Sequence, residues 1–209
     1  LDTGALVVEM AMRGRGQIAK LARIARPTVG LITNVGVSHI EVLGTEEAIA
    51  DAKGELADAL PGHGRLFLNG DDAWSDVIAS RTQAAVTRYG VSEACDVRAE
   101  SIGVTESGNP VFTLVTEQGS ACATLPVPGR HNVYNALAAA AVGLYLEVSL
   151  DDVVRGLEEA TFTHMRMETF QAASGVTVIN DAYNANPTSM RAALAALTDV
   201  PGSGRRIAV

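Results

Sequence analysis

Short apolar runs alternate with amphipathic stretches along the first part of the chain. Residues 5–10 (ALVVEM) and 29–34 (VGLITN) predict buried strands. Between them, 17–26 (QIAKLARIAR) places Ile18, Leu21, Ala22 and Ala25 on one helical face, and Pro27 ends that helix. A longer helix is predicted over 45–60, with Thr45 as its N-cap and Glu46 and Glu47 in its first turn. The turn PGHG then leads to a strand at 65–69, a helix at 73–79 and a strand at 85–89. This alternation predicts an α/β fold, a mostly parallel sheet flanked by helices with right-handed crossovers.

The period then changes. Residues 96–105, 110–116 and 120–127 alternate apolar and polar positions, separated by ESGN and EQGS, and predict an added region of antiparallel hairpins. An alanine-rich helix follows over 132–145, then a second helix over 150–159 opened by Ser149 and two aspartates. METFQAA and VTVINDA read as two strands joined at Ser-Gly, and Pro187 starts a helix, a position proline favours. GSGRRIAV reads as the entry to a further strand. A boundary at 163–166 divides a domain over 1–163 from the opening of a Rossmann-like α/β domain over 164–209. Both termini fall against predicted buried strands, where ladder groups would be left unpaired, so the chain reads as a piece of a longer protein.

Composition narrows the functional classes. The 209 residues are 47% hydrophobic and only 4% aromatic, so the core must be built from Ala, Val, Leu and Ile. Sixteen basic against 24 acidic residues give a net charge of −8, which argues against a nucleic-acid backbone as the main partner. Two cysteines, Cys95 and Cys122, are too few for a disulfide framework and read as small reduced core or strand residues. No apolar run approaches the roughly 20 residues of a membrane span, and no signal peptide is visible. A cytoplasmic enzyme fits these limits.

Candidate chemistry gathers at predicted strand ends, where open α/β sheets bind ligands. Glu9 ends the first predicted strand, His39 lies in the loop after the second, and Lys53 rides on the helix that follows. A carboxylate, an imidazole and a lysine around one pocket suggest a hard cation with phosphate oxygens. The plainer alternatives are a surface carboxylate, a polar loop histidine, and a helical lysine paired with Asp51 or Glu55. Asn132 and Asn135, three apart, share a helical face and could meet an adenine edge, though an asparagine placed like Asn132 is more often a plain helix cap. Arg166 carries the planar donor fork that suits phosphate. Tyr183, Asn184 and Asn186 occupy a loop between a strand and a helix N-terminus. His63, His131 and His164 have weaker claims, and LNGDD (68–72) reads as a structural turn.

The segments VVEMAMRGRGQIA, NVGVSHIEVLGT, DAKGEL, GRHNVYNALAAAA and INDAYNANPTSM resemble, in order and spacing, the Mur ligases, and among these the MurF type. The resemblance implies an ATP-dependent ligase of peptidoglycan precursor synthesis. It would join D-alanyl-D-alanine to a UDP-N-acetylmuramoyl-tripeptide through an acyl phosphate, as a monomer, with ATP and Mg as cofactors. Glu9 and His39 would be metal ligands, and Lys53 would support the metal as a carbamate. Asn132 and Asn135 would contact adenine, with Arg166 and Asp181 reaching ATP from the second domain. The Gly-Lys-Ser/Thr phosphate loop of the family does not occur in these residues and would lie upstream of Leu1. Alternatives are another Mur-type or folylpolyglutamate-type ligase, or a non-catalytic nucleotide-binding protein.

Overall fold

The computed structural model describes residues 4–36, 40–201 and 204–209. They form two compact units, 1–87 and 88–209.

In the first unit, α1 (Gln17–Ala25) precedes β1 (Val29–Ile32), and a short α2 (Ile40–Leu43) leads to α3 (Glu46–Ala59). Next come β2 (Arg65–Asn69) and α4 (Ser75–Ala79). Thr45 caps α3 as its sequence suggests, its hydroxyl accepting the Ala48 N–H at 3.1 Å. β1 and β2 pair in parallel with Ile32 opposite Leu68, so their carboxyl ends lie side by side. Ile18, Ile32, Val35, Ile49, Leu66, Leu68 and Ile78 form the core that holds strands and helices together. The turn α2 carries no buried residue and left no amphipathic signal to read.

β3 (Ala85–Gly90) runs into the second unit and pairs in parallel with β4 (Val97–Val104) through Tyr89 and Gly90. β4, β5 (Pro110–Thr116) and β6 (Gly119–Thr124) form the antiparallel region predicted, with an irregularity between Glu100 and Gly103. α5 (His131–Tyr145) and α6 (Leu150–Glu158) follow, α6 capped by Ser149. β7 (Glu168–Gln171) and β8 (Thr177–Asn180) make a two-stranded hairpin, and α7 (Pro187–Asp199) has proline at its first position. The α/β class with a parallel part and an antiparallel part is therefore as expected.

Two expected strands are absent. Residues 5–10 have no regular structure, and Leu6, Val7 and Val8 are exposed. A strand exists only through its ladder, and these residues find no ladder partner among the described residues. Residues 204–209 likewise form no strand. Instead Arg206 turns back on α7, donating to the carbonyls of Leu197 at 3.0 Å and Val200 at 2.9 Å. That satisfies backbone acceptors at a helix end that would otherwise lack partners.

Candidate active site

The carboxyl ends of β1 and β2 carry the first group of predicted residues. Val35, just past β1, is buried, and its N–H donates to Asp72 Oδ2 at 2.7 Å. The other oxygen of Asp72 accepts the Trp74 N–H at 2.9 Å. Lys53, half-buried on α3, donates from Nζ to the carbonyl oxygens of Asn34 at 2.6 Å and Val35 at 2.9 Å. Burial pushes the Lys53 ammonium below its ordinary range, and the nearby Asp72 carboxylate opposes that shift.

Lys53 is thus not paired with its helical neighbours Asp51 or Glu55. Glu55 faces the start of α1, accepting the N–H groups of Gly16 and, at 3.0 Å, Ala19. A carboxylate there meets unpaired donors and the positive end of the helix dipole. Asp51 pairs with Arg15 at 2.7 Å and with Arg81 at 3.5 Å, and Arg81 also binds Asp58. Gly54 makes this possible, because a Cβ there would collide with the Arg81 guanidinium. Residues two apart on a helix point apart, so the acids occupy a different side from Lys53.

Glu9 is exposed and lies outside any strand, which corrects its expected place at a strand end. Its neighbour Met10 packs on the core that includes Val35. His39 lies outside the described residues. No group of three or more His, Cys, Asp or Glu side chains that could hold a metal occurs among the described residues. Asp72 was read only as part of a turn. Its position at the end of β2, beside the end of β1, was the signal that could have marked it.

The second group lies at α5 and in the segments before and after the β7–β8 hairpin. Asn132 is buried, donating from Nδ2 to Pro128 O at 2.8 Å and accepting Asn135 Nδ2 at 3.0 Å. It braces the turn into α5 and is not its N-cap, which is Arg130. Asn135 is exposed, so it is the member of the pair open to a ligand. Burial lowers the His131 imidazole below its ordinary value, with Asp181 acting in the opposite direction. Asp181 accepts the Met167 N–H at 3.1 Å, and Tyr183 N–H donates to Met165 O at 3.0 Å. Arg166 lies over the Tyr183 ring, 4.2 Å from its centroid. Met165 and Met167 on either side of it have φ of 63° and 51°, a left-handed backbone uncommon for such side chains.

Two loop residues have other work. Asn186 is the N-cap of α7, accepting the N–H groups of Thr188 and Ser189 at 2.9 Å each, while Ser189 Oγ accepts the Asn186 N–H at 3.0 Å. Asn184 accepts the Ala185 N–H at 2.9 Å. His164 sits 2.9 Å from Glu168, and His63 is exposed. Cys95 is buried and Cys122 is exposed on β6. A groove of about 710 Å³ lies between Arg26 and His63, at the amino ends of β1 and β2. Ligands of open α/β sheets bind at the opposite, carboxyl ends.

Residues 2–143 match the model of the Mur ligase middle domain, and 165–209 match that of the Mur ligase glutamate ligase domain. Among curated proteins the chain is 43% identical over 196 residues to the UDP-N-acetylmuramoyl-tripeptide–D-alanyl-D-alanine ligase of Mycobacterium tuberculosis, covering 93% of this chain and 38% of that protein. The ligase of the same name from Bacillus subtilis is 36% identical over 208 residues, covering 100% of this chain and 44% of the relative. The chain therefore spans about two fifths of the length of these relatives. Its fold superimposes on MurF from Acinetobacter baumannii with a TM-score of 0.84 at 35% identity, covering 90% of this chain and 41% of that one. It also matches MurF ligase from Thermotoga maritima in complex with ADP, with a TM-score of 0.83 at 25% identity, covering 92% and 44%. With a middle-domain match over more than half its length, this chain belongs to the Mur ligase family.

Proposed function

We propose that these residues are part of an ATP-dependent ligase that joins D-alanyl-D-alanine to UDP-N-acetylmuramoyl-tripeptide in peptidoglycan precursor synthesis. The observation that carries this reading is 36–43% identity, over nearly the whole chain, to relatives bearing that name. In the reaction, ATP phosphorylates the terminal carboxylate of the tripeptide. The dipeptide amine attacks the acyl phosphate, the amide bond forms and phosphate leaves. Such a reaction needs negative charges held together, which positioned cations and dipoles accomplish.

The site roles follow the family resemblance. Asn135 would meet adenine with Asn132 bracing it, Asp181 would reach the ribose hydroxyls, and Arg166 the phosphates, its guanidinium oriented by Tyr183. Magnesium is the expected partner of ATP, with Glu9, His39 and a carbamylated Lys53 around it. The described residues do not by themselves fit that ion, since Lys53 Nζ donates to two carbonyl oxygens and no cluster of His, Cys, Asp or Glu among the described residues could hold a metal. No step is therefore assigned to the metal. The middle domain would run over 1–163 and the C-terminal ligase domain would begin at 164, in keeping with the ranges of the two family models. No helix among the described residues is long and apolar enough to cross a membrane. The reading places the ligase in the cytoplasm as a monomer.

The test is turnover by the full-length protein with ATP, Mg, UDP-N-acetylmuramoyl-tripeptide and D-alanyl-D-alanine, followed as ADP release and ligated product. Product with another amine acceptor and none with the dipeptide would move the chain to a different ligase of the fold. ATP binding without turnover on any acceptor would favour a non-catalytic role. The 209-residue chain alone is expected to show no ligation.

A further inference from the structure

We propose that Asp72 is a positioning residue that locks the loop after β1 to the turn after β2 and so sets the backbone frame on which Lys53 is held. The inference rests on the ligase reading above, because it assigns Asp72 to the Lys53 site. One oxygen of its carboxylate holds Val35 N–H and the other Trp74 N–H, one donor from each strand-end segment. The β2 turn is itself pinned. Asp72 N–H donates to Asn69 O at 3.1 Å, Ser75 N–H to Asp72 O at 3.0 Å, Asp71 N–H to Asn69 Oδ1 at 3.0 Å, and Ser75 Oγ also donates to Asn69 O. The rigidity of that turn is passed through one side chain to residue 35.

What is held there matters. The Asn34 and Val35 carbonyls are the two acceptors of Lys53 Nζ. A peptide plane that donates its N–H to a fixed carboxylate cannot rotate freely, so the neighbouring carbonyls keep their direction. The loop continues in sequence to His39. The Asp72 charge also acts on Lys53, opposing the effect of burial. Asp72 needs no contact with substrate for this role.

The experiment compares Asp72→Asn, Asp72→Ala and Lys53→Ala in the full-length ligase. The isosteric asparagine keeps one acceptor and should fold; alanine removes both. Amide hydrogen exchange at Val35, read on folded protein without ligands, is expected to rise about tenfold in Asp72→Ala and less in Asp72→Asn. The kcat is expected to fall about tenfold or more in the same order, with the KM for D-alanyl-D-alanine unchanged, because an interaction outside the substrate pocket is lost. Unchanged exchange at Val35 would overturn the proposal. So would a lowered melting temperature with normal kcat per folded molecule. An inactive Lys53→Ala beside a normal Asp72→Ala removes the Asp72 role alone. A fully active Lys53→Ala removes both the Lys53 site and this inference.

Discussion

Arg166 rests its guanidinium over the ring of Tyr183, 4.2 Å from the centroid. Both are exposed, so the contact orients a charge that would otherwise sample many rotamers. Tyr183→Ala should weaken ATP binding by the full-length ligase about two- to fivefold, the range of an exposed cation–π contact, while Tyr183→Phe keeps it. Calorimetry with a non-hydrolysable ATP analogue checks this. Equal loss in both variants would assign the effect to the hydroxyl instead.

Asp181 has a structural bond to Met167 N–H as well as its proposed ribose contact. Asp181→Ala should lower ATP affinity by about 1.5–3 kcal/mol if the ribose bonds are charge-assisted. Asp181→Asn, which keeps an acceptor for Met167, separates the two roles. If the asparagine variant binds ATP normally, the carboxylate charge has no part in nucleotide binding.

Lys53→Ala should cut turnover by orders of magnitude, and short carboxylates added to the variant should restore part of it. A diffusible anion can replace a carbamate beside a cation, whereas it cannot replace an ammonium bound to carbonyls. Steady-state turnover with and without added acetate or formate makes the distinction. Loss of activity with no rescue would show that Lys53 acts through its bonds to the Asn34 and Val35 carbonyls and not as a carbamate.

His131 should make stability depend on pH. Burial lowers its folded pKa, so the unfolded chain takes the proton first as pH falls. The stability present above about 6.5, the ordinary histidine value, is therefore lost as pH drops through that value toward the lowered one. His131→Gln should flatten that part of the curve. Urea midpoints at several pH values between 5 and 8, for both proteins, provide the comparison. Parallel curves would mean that His131 titrates alike in both states.

The elements whose signals are local were readable from sequence. Thr45, Ser149 and Pro187 mark the starts of α3, α6 and α7 because a cap or a proline acts within one turn. The apolar residues 5–10 misled, because strand propensity says nothing of whether a partner strand lies alongside. Asn186 could have been recognised as a cap from the serine three positions later. At the candidate site, Lys53 was visible as a residue but its partners were not. They are main-chain carbonyls from 18 and 19 residues away, and Asp72 reaches Val35 across 37. Such long-range pairings arise from the register of β1 on β2, which no local pattern encodes.

The three acids of α3 beyond its first turn are sorted by what binds them. Arg81, Arg15 and the start of α1 take up Asp51, Asp58 and Glu55, which leaves Asp72 as the carboxylate acting on Lys53. Gly54 is the gap through which Arg81 performs its share. The helix therefore works as an insulator, keeping three negative charges occupied on one side of a cation it displays on another. A side chain at residue 54 would act at a distance: it would displace Arg81, release Asp58, leave Asp51 to Arg15 alone, and send a stray negative field toward Lys53 without altering any residue of the site.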